Sequence, residues 1–256
     1  MSGENWLYGH KIPRVENFSK AQQSSRGELY LAVACLLWLM WLFGALSQSF
    51  TRTLSVFLFD LLGATMLLVL SRHLPTALRF TVMGLGLALL SIGIGDGNLS
   101  AALITQTDPA IWLAWRRPFY YFGSLLVTVF TLALPFALHR QGLYHKAKPV
   151  LVVLIGLIVS GLLTSGLILV NKTEAFQVIF FFVGCLIACI FAIQNFILRH
   201  NELSRIFRQL SVVFVLVSLG RLVLIILNGS FLGDVIYDLL WCAGVSATAW
   251  TLITRE

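Results

Sequence analysis

The chain has 256 residues, of which 58% are hydrophobic and only 11% are charged. A soluble domain carries about a quarter charged residues, so this composition excludes an ordinary soluble protein and indicates an integral membrane protein. The net charge of +7 does not indicate a nucleic-acid-binding protein, because the basic residues stand in short runs between long apolar segments.

Eight apolar segments are each long enough to cross a membrane, for which a helix needs about 20 mostly apolar residues. They are continuously apolar, which favours helices over the alternating strands of a barrel. A re-entrant hairpin is the alternative for the first two segments, which only the turn Ser49–Arg52 separates. The predicted spans are residues 27–48, 53–72, 78–95, 118–138, 149–170, 176–198, 208–228 and 232–254.

These segments predict an all-α fold, namely a polytopic helical bundle with about eight transmembrane helices. Its single transmembrane domain covers residues 27–256, and residues 1–26 form a polar tail in the cytosol. With the N-terminus inside, thirteen of the 18 lysines and arginines fall in cytosolic segments and four in outer loops. The positive-inside rule therefore predicts that both termini are cytosolic.

Three N-x-S/T triplets fall in the outer loops of this topology, and they begin at Asn98, Asn171 and Asn228. Glycans are added to such asparagines only on the lumenal side of the secretory pathway. The triplets predict a multi-pass glycoprotein of the plasma membrane or an endomembrane, if the source is eukaryotic.

Three ionisable residues, Asp60, Arg221 and Asp238, stand inside predicted spans. Each lies about seven residues, or roughly 10 Å, from the outer end of its helix. A charge at that depth costs at least a few kcal/mol, and pairing lowers the cost. The tight Asn-Gly-Ser turn before the last helix places Arg221 beside Asp238, so we expect these two to pair. Asp60 would then be a surplus carboxylate, either protonated or paired with a ligand.

Two interpretations of these charges remain open. An Arg–Asp pair can simply lock the packing of two helices. The second carboxylate favours a functional site in the outer half of the bilayer, because one aspartate would suffice for a lock. In that interpretation Asp60 and Asp238 are the candidate catalytic residues and Arg221 is a candidate ligand-binding residue.

Aromatic residues near the same end extend the candidate site. Tyr120 and Tyr121 open the fourth predicted span, and Tyr237 and Trp241 flank Asp238 on the last one. We predict that these four side chains contribute to ligand binding, although aromatic residues at the ends of spans are also common as interfacial anchors.

Two further motifs predict structure at the outer surface. Asp96 lies between glycines in "IGIGDGN", which predicts that the third helix stops there. Asp108 and Pro109 predict the start of a short surface helix, whose Arg116 and Arg117 reach lipid headgroups. Such a helix could act as a lid, or it could be a plain interfacial anchor.

A short internal match hints at a duplicated architecture. The pairs Gly95-Asp96 and Gly233-Asp234 both fall near the outer surface, in the two halves of the chain. They hint at a four-plus-four helix repeat about an axis along the membrane normal.

Several classes of function lack their motifs in this sequence. It has no nucleotide-binding loop, no zinc motif and no G-x-S-x-G, and the last span has no lysine for a retinal Schiff base. All five histidines fall on the predicted cytosolic side, so we predict no metal site and no cofactor. The expected partners are the lipid bilayer and a small lipophilic molecule, with a homo-oligomer or a cytosolic protein as further options, and no nucleic acid.

Three functions remain. The first is a membrane protein that binds or processes a small lipophilic molecule, with an aspartic acid as general acid in an apolar site. The alternative is a receptor-like sensory protein that signals through a cytosolic partner. The second alternative is a transporter or a subunit of a membrane complex.

Overall fold

The computed structural model describes residues 20–47, 50–72, 74, 76–105, 108–144, 148–170, 175–199, 203–227 and 230–253. The secondary structure of this part of the chain is helical, as predicted. Its eight helices are α1 (Lys20–Ser47), α2 (Thr51–Ser71), α3 (Thr76–Thr105), α4 (Pro109–Arg140), α5 (Pro149–Val170), α6 (Ala175–Ile197), α7 (Leu203–Ile226) and α8 (Phe231–Ile253).

Seven of these helices, α1 to α7, are long and apolar enough to cross a membrane. Helix α8 has 23 residues and carries Asp234 and Asp238. The helices are consistent with an integral, multi-pass membrane protein. Helix α1 begins at Lys20, inside the stretch predicted as a polar tail, and residues 1–19 lie outside the described part of the chain.

The prediction that α3 stops at Asp96 is wrong, because the helix continues to Thr105. An isolated glycine in a helix costs only about 1 kcal/mol, which tertiary packing can outweigh. Here Gly97 lies against Phe57 of α2, since a Cβ on Gly97 would be 2.9 Å from the Phe57 ring. The glycines of this segment allow close packing and do not end the helix.

The prediction of a separate surface helix after Asp108 is also wrong. Pro109 is the first residue of a helix, as expected, but that helix is α4, which runs unbroken to Arg140 and contains Pro118. Proline normally disrupts a helix, because it lacks an N–H group and its ring clashes with the preceding turn. Contacts with α3 on both sides of Pro118, described below, hold the two parts of α4 in line.

The loop position predicted for Asn98 is wrong, and its glycosylation stays a prediction. Asn98 lies within α3 and is half-buried, so it is not in an outer loop. Asn171 and Asn228 lie outside the described residues.

Six helices form a closed ring in the order α2, α3, α4, α6, α7, α8 and back to α2. Helix α1 packs outside the ring against α2 and α8, and α5 packs outside it against α6 and α4. The same contacting pairs result when the first four helices are exchanged with the last four, so that α1 takes the place of α5, α2 that of α6, and so on. The contact pattern is therefore that of a four-plus-four repeat, and parallel repeats of this kind are related by an axis along the membrane normal.

Close glycine contacts repeat between the halves as well. A Cβ on Gly123 of α4 would meet Ala88 and Ile92 of α3, and one on Gly244 of α8 would meet Val213 and Val217 of α7. Both pairs of partners are spaced four residues apart. The equivalent helices therefore pack in the same register.

The same register places Gly95 and Gly220 at equivalent positions. Gly95 lies three residues after Ile92 on α3, and Gly220 lies three residues after Val217 on α7. A Cβ on Gly95 would be 3.3 Å from the carbonyl oxygen of Arg116, and one on Gly220 would be 3.5 Å from the ring of Tyr237. The Gly-Asp pair at 95 therefore matches the Gly-Arg pair at 220, and not the pair at 233 suggested by the sequence.

The two ends of the bundle differ in character. We call the end where α2, α4, α6 and α8 begin the Arg52 end, and the opposite one the Arg140 end. The largest cluster of buried apolar side chains extends from the middle of the bundle to the Arg140 end, and includes Leu78, Leu138 and Phe207. The buried charged side chains lie toward the Arg52 end.

Candidate functional site

A cluster of charged and aromatic side chains occupies the half of the bundle nearest the Arg52 end, and we call it the polar cluster. Its charged members lie within nine residues of the nearest helix end, or roughly 14 Å at 1.5 Å per residue. It consists of Arg52, Asp60, Asp96, Arg116, Tyr120, Arg221, Asp234, Tyr237, Asp238 and Trp241.

Asp96, Arg116 and Tyr120 form the most tightly bonded part of the polar cluster. Arg116 Nη2 lies 2.6 Å from Asp96 Oδ1 and donates to the Tyr120 hydroxyl at 2.7 Å. The Tyr120 hydroxyl lies 2.7 Å from both carboxylate oxygens of Asp96. The Asp96 side chain is 5% exposed and that of Arg116 is 25% exposed. Because these residues flank Pro118, they bind both parts of α4 to α3.

The glycines around Asp96 explain why the helices can approach so closely here. A Cβ on Gly95 would be 3.1 Å from the Tyr120 ring, and one on Gly93 would be 3.0 Å from the Cβ of Asp60. The segment "GIGD" thus presents bare backbone to α4 on one side and to α2 on another. It brings Asp60 and Asp96 close enough to interact electrostatically.

Asp60 is fully buried on α2 and is bonded to α8. Its Oδ1 accepts a hydrogen bond of 2.8 Å from the indole nitrogen of Trp241, while its Oδ2 is buried without a hydrogen-bond partner. A buried polar atom without a partner costs about 1–3 kcal/mol, and more if it is charged. Among the described residues, Asp60 Oδ2 thus accepts no hydrogen bond from an N–H or O–H donor, and the Asp96 carboxyl is the polar group close to it.

The predicted pair between Arg221 and Asp238 is wrong. Asp238 Oδ2 lies 3.3 Å from Arg52 Nε, and Asp234 Oδ2 lies 4.0 Å from Arg52 Nη2. The sequence placed Arg52 in a loop, but it is the second residue of α2. Because α2 packs against α8, the first turns of these two helices meet. Adjacency through the short α7–α8 turn was therefore a poor guide to the partner of Asp238.

Arg221 lies instead among aromatic rings, and the residue is only 4% exposed. Its Cζ is 4.1 Å from the ring centre of Tyr237, 4.8 Å from that of Phe180 and 6.0 Å from that of Tyr120. These distances are typical of cation–π contacts. Its Nη1 donates to Gln177 Oε1 at 3.2 Å, and its Nη2 is buried without a partner.

Of the four aromatic residues predicted for the site, three lie in the polar cluster and one does not. Tyr120, Tyr237 and Trp241 belong to the polar cluster, whereas Tyr121 is 41% exposed and contacts Phe176 edge-on with 5.4 Å between ring centres. The sequence interpretation missed the site role of five residues, one of which is Asp234 beside Arg52. The other four are Arg52, Asp96, Arg116 and Gln177.

The sequence spacing could have identified Arg116, which stands four residues before Tyr120. Residues four apart lie on one face of a helix, and Tyr120 was already a candidate. No comparable signal identified Gln177, which stands three residues into α6.

An apolar cavity lies between the two halves of the bundle. Its volume is about 80 Å³, and it is partly open to the surroundings. Its lining residues come from α2, α3 and α4 of the first half and from α7 and α8 of the second, and they include Leu89, Val127, Val213 and Trp241. Trp241 therefore lines the cavity and also donates to Asp60.

Metal-binding side chains are not gathered at this site. Among the described residues, no group of three or more His, Cys, Asp or Glu side chains is arranged to hold a metal ion. Comparison with known proteins gave no match, whether to protein-family models, to curated proteins or to solved structures.

Proposed function

We propose that the protein is an integral membrane protein that binds a small lipophilic molecule in the apolar cavity, with a polar group of the molecule at Asp60. The observation that carries the proposal is the dual position of Trp241, which lines the cavity and bonds to the acid. Side chains such as Leu89 and Val127 would bury apolar surface of the ligand, while few precisely placed polar groups orient it.

Asp60 is the residue best placed for acid chemistry on the bound molecule. A ligand that donates to Asp60 Oδ2 would satisfy the oxygen that has no partner. In the enzymatic form of the proposal, a proton on that oxygen passes to the ligand in a site from which apolar walls exclude water. Asp238 is less suited to this role, because Arg52 already holds its carboxylate.

A matched pair of variants on α4 tests the cavity. Val127 lines it and is 7% exposed, whereas Val129, two residues along, is 53% exposed. We expect protein purified in mild detergent to carry a lipophilic compound, which solvent extraction and mass spectrometry would quantify per mole of protein. Val127→Phe should lower that amount at least roughly ten-fold, since a ring in the cavity costs the ligand more than about 1.4 kcal/mol. Val129→Phe should not change it.

The proposal fails if the wild-type protein carries no such compound, or if the two phenylalanine variants carry equal amounts. Asp60→Asn separates binding from chemistry in the same preparation. If the protein only binds the compound, Asp60→Asn should leave its chemical identity unchanged. If Asp60 is a general acid, the variant should accumulate a precursor of the compound that the wild-type protein carries.

We further propose that the Arg140 end of the bundle faces the cytosol, with both termini inside and α8 as an eighth span. The support is the excess of lysine and arginine in the segments near that end. In intact cells, a membrane-impermeant maleimide should label a cysteine introduced at Asp108 and not one at Leu143, with the unsubstituted chain as control. The opposite labelling pattern would refute this orientation.

A transporter is a second candidate, and the contact pattern of the two halves favours it. Transporters built from parallel repeats bind substrate near the midplane, at the interface between the halves. The cavity between α2–α4 and α7–α8 has that position in the bundle. Accumulation in proteoliposomes of the compound recovered by extraction, blocked by Val127→Phe, would support transport over static binding. The receptor-like function stays a prediction.

A further inference from the structure

We infer that Arg221, together with the hydroxyl group of Tyr237, binds an anionic head group of the lipophilic molecule, and that this group is a carboxylate. The inference rests on the proposed function, because it names the head group of the molecule held by the same cavity. It concerns residues that the proposed cavity binding does not itself use.

The first argument is that the charge of Arg221 has no counter-ion in the described part of the chain. The other two arginines of the polar cluster have carboxylate partners, since Arg116 pairs with Asp96 and Arg52 with Asp238. A guanidinium stays protonated in a protein, and removing one from water costs several kcal/mol unless it is paired. Each desolvated cation–π contact offsets about 2 kcal/mol or more of such a cost, but the contacts do not neutralise the charge.

The second argument is a pair of buried donors without acceptors. Arg221 Nη2 and the Tyr237 hydroxyl are both buried without a hydrogen-bond partner among the described residues, and the guanidinium lies against the Tyr237 ring. Gln177 occupies only Nη1. A ligand with two acceptor oxygens would satisfy both donors. A carboxylate has two such oxygens, and its bond to a guanidinium is charge-assisted.

The third argument concerns position relative to the cavity. On α8, Tyr237 stands one turn before Trp241, with 6.1 Å between the ring centres. On α3, Ile92 lines the cavity and packs with Tyr120 and Phe180, which lie beside Arg221. One layer of aromatic rings thus lies between the cavity and the guanidinium, and a molecule with its apolar part in the cavity would reach Arg221 with a head group that extends past these rings.

The charge balance favours a carboxylate over a phosphate. A phosphate monoester approaches two negative charges at neutral pH and needs three or more donors. Arg221 is a single cation, and the unpartnered donors beside it among the described residues are its own Nη2 and the Tyr237 hydroxyl, while Asp96 and Asp238 already neutralise Arg116 and Arg52. A single negative charge matches that set.

The test compares 11-bromoundecanoic acid with its methyl ester, which differ at the head group alone. Bromine quenches tryptophan fluorescence, and Trp241 lines the cavity. The part of the quenching that the Val127→Phe variant loses measures binding in the cavity. We expect the wild-type protein to bind the acid at least roughly ten-fold more tightly than the ester, the effect of about one charge-assisted bond.

Arg221→Gln should remove this preference for the acid, and Arg221→Lys should keep part of it, because lysine keeps the charge but not the fork. Arg117→Gln is the matched control, since Arg117 is an exposed arginine on α4 near the same end of the bundle. It should keep the full preference. If Arg221→Gln does not accumulate, the wild-type comparison and the lysine variant still decide the matter.

Three outcomes overturn the inference, or its choice of head group, without touching the proposed function. Equal binding of acid and ester by the wild-type protein would do so, as would an equal loss of preference in Arg117→Gln, which would indicate a general surface potential. Tighter binding of dodecyl phosphate than of the acid, dependent on Arg221, would overturn the choice of carboxylate. In each case the proposed function would still stand, provided that the wild-type protein shows quenching and Val127→Phe abolishes it. Absence of any such quenching would overturn both.

Discussion

Replacing Arg116 with methionine removes the guanidinium that neutralises Asp96 and leaves a buried carboxylate with the Tyr120 hydroxyl alone. Breaking a buried ion pair by removing one partner costs about 3–5 kcal/mol. The Arg116 side chain is 25% exposed, so some of its interaction with Asp96 is screened by the surroundings. We therefore expect Arg116→Met to lower the free energy of unfolding by about 3 kcal/mol, at the lower end of that range.

Two control variants separate the ion pair from the loss of a long side chain. Arg117→Met removes the adjacent arginine, whose side chain is exposed, and should cost less than about 1 kcal/mol. The double variant Asp96→Leu with Arg116→Met removes both charges. It should recover most of the stability, because apolar side chains of similar size often replace a buried pair with little cost.

The assay is equilibrium unfolding by sodium dodecyl sulfate in mixed micelles, followed by circular dichroism. Equal midpoints for Arg116→Met and Arg117→Met would refute the assignment of Arg116 to a buried pair. A double variant as unstable as the single one would show that geometry at these positions, and not charge, holds α3 to α4.

Three further predictions use the same unfolding assay. Gly93→Val should cost about 1–3 kcal/mol, because its Cβ would lie 3.0 Å from the Cβ of Asp60, which helix packing holds in place. Trp241→Phe should cost about 1–3 kcal/mol, since it leaves both oxygens of Asp60 unbonded. Tyr144→Phe should also cost about 1–3 kcal/mol, by removing the 2.5 Å bond to Gln194 Oε1. Burial raises the pKa of Tyr144 from 10.0 to about 12, so this stabilisation should be constant below pH 10 and disappear as the pH rises through about 12.

The helices were predictable from the sequence because each needs only a long apolar run, and such runs are visible without knowledge of neighbours. Their ends were not predictable where polar residues are buried. Asp96 and its glycines looked like a helix end, since an isolated aspartate in lipid is costly. The structure removes that cost by placing Arg116 and Tyr120 beside Asp96.

The pairing of the charges depends on which helices touch, and the sequence does not give that. Chain adjacency favoured a pair between Arg221 and Asp238. The contact between α2 and α8 instead brings Arg52 to Asp238, across almost the whole length of the sequence. Depth was easier to predict than partners, because residues counted from a helix end convert directly to distance. Asp60, Arg221 and Asp238 lie nine, five and seven residues from the ends of α2, α7 and α8, close to the count from the sequence, but in different contacts.

The repeat suggests why Arg221 lacks a counter-ion in the described ranges of the chain, and it supplies a last prediction. Asp96 and Arg221 occupy equivalent positions in the two halves, and so do Arg116 and Tyr237. The first half thus pairs a carboxylate with a guanidinium, whereas the second sets a guanidinium against a ring, 4.1 Å from its centre. Tyr237→Glu would place a carboxylate near that ring position and supply Arg221 with an internal partner.

We expect Tyr237→Glu to be tolerated because of this new pair, and to abolish the preference for 11-bromoundecanoic acid over its ester. In an Arg221→Gln background the same glutamate would be a buried, unpaired carboxylate, and it should cost at least about 3 kcal/mol in the unfolding assay. Tyr237→Phe is the control for loss of the hydroxyl alone, and it should weaken the preference without abolishing it. If Tyr237→Glu destabilised both backgrounds equally, the guanidinium would not be accessible to a carboxylate from that side, and the assignment of Arg221 as an anion-binding residue would fail.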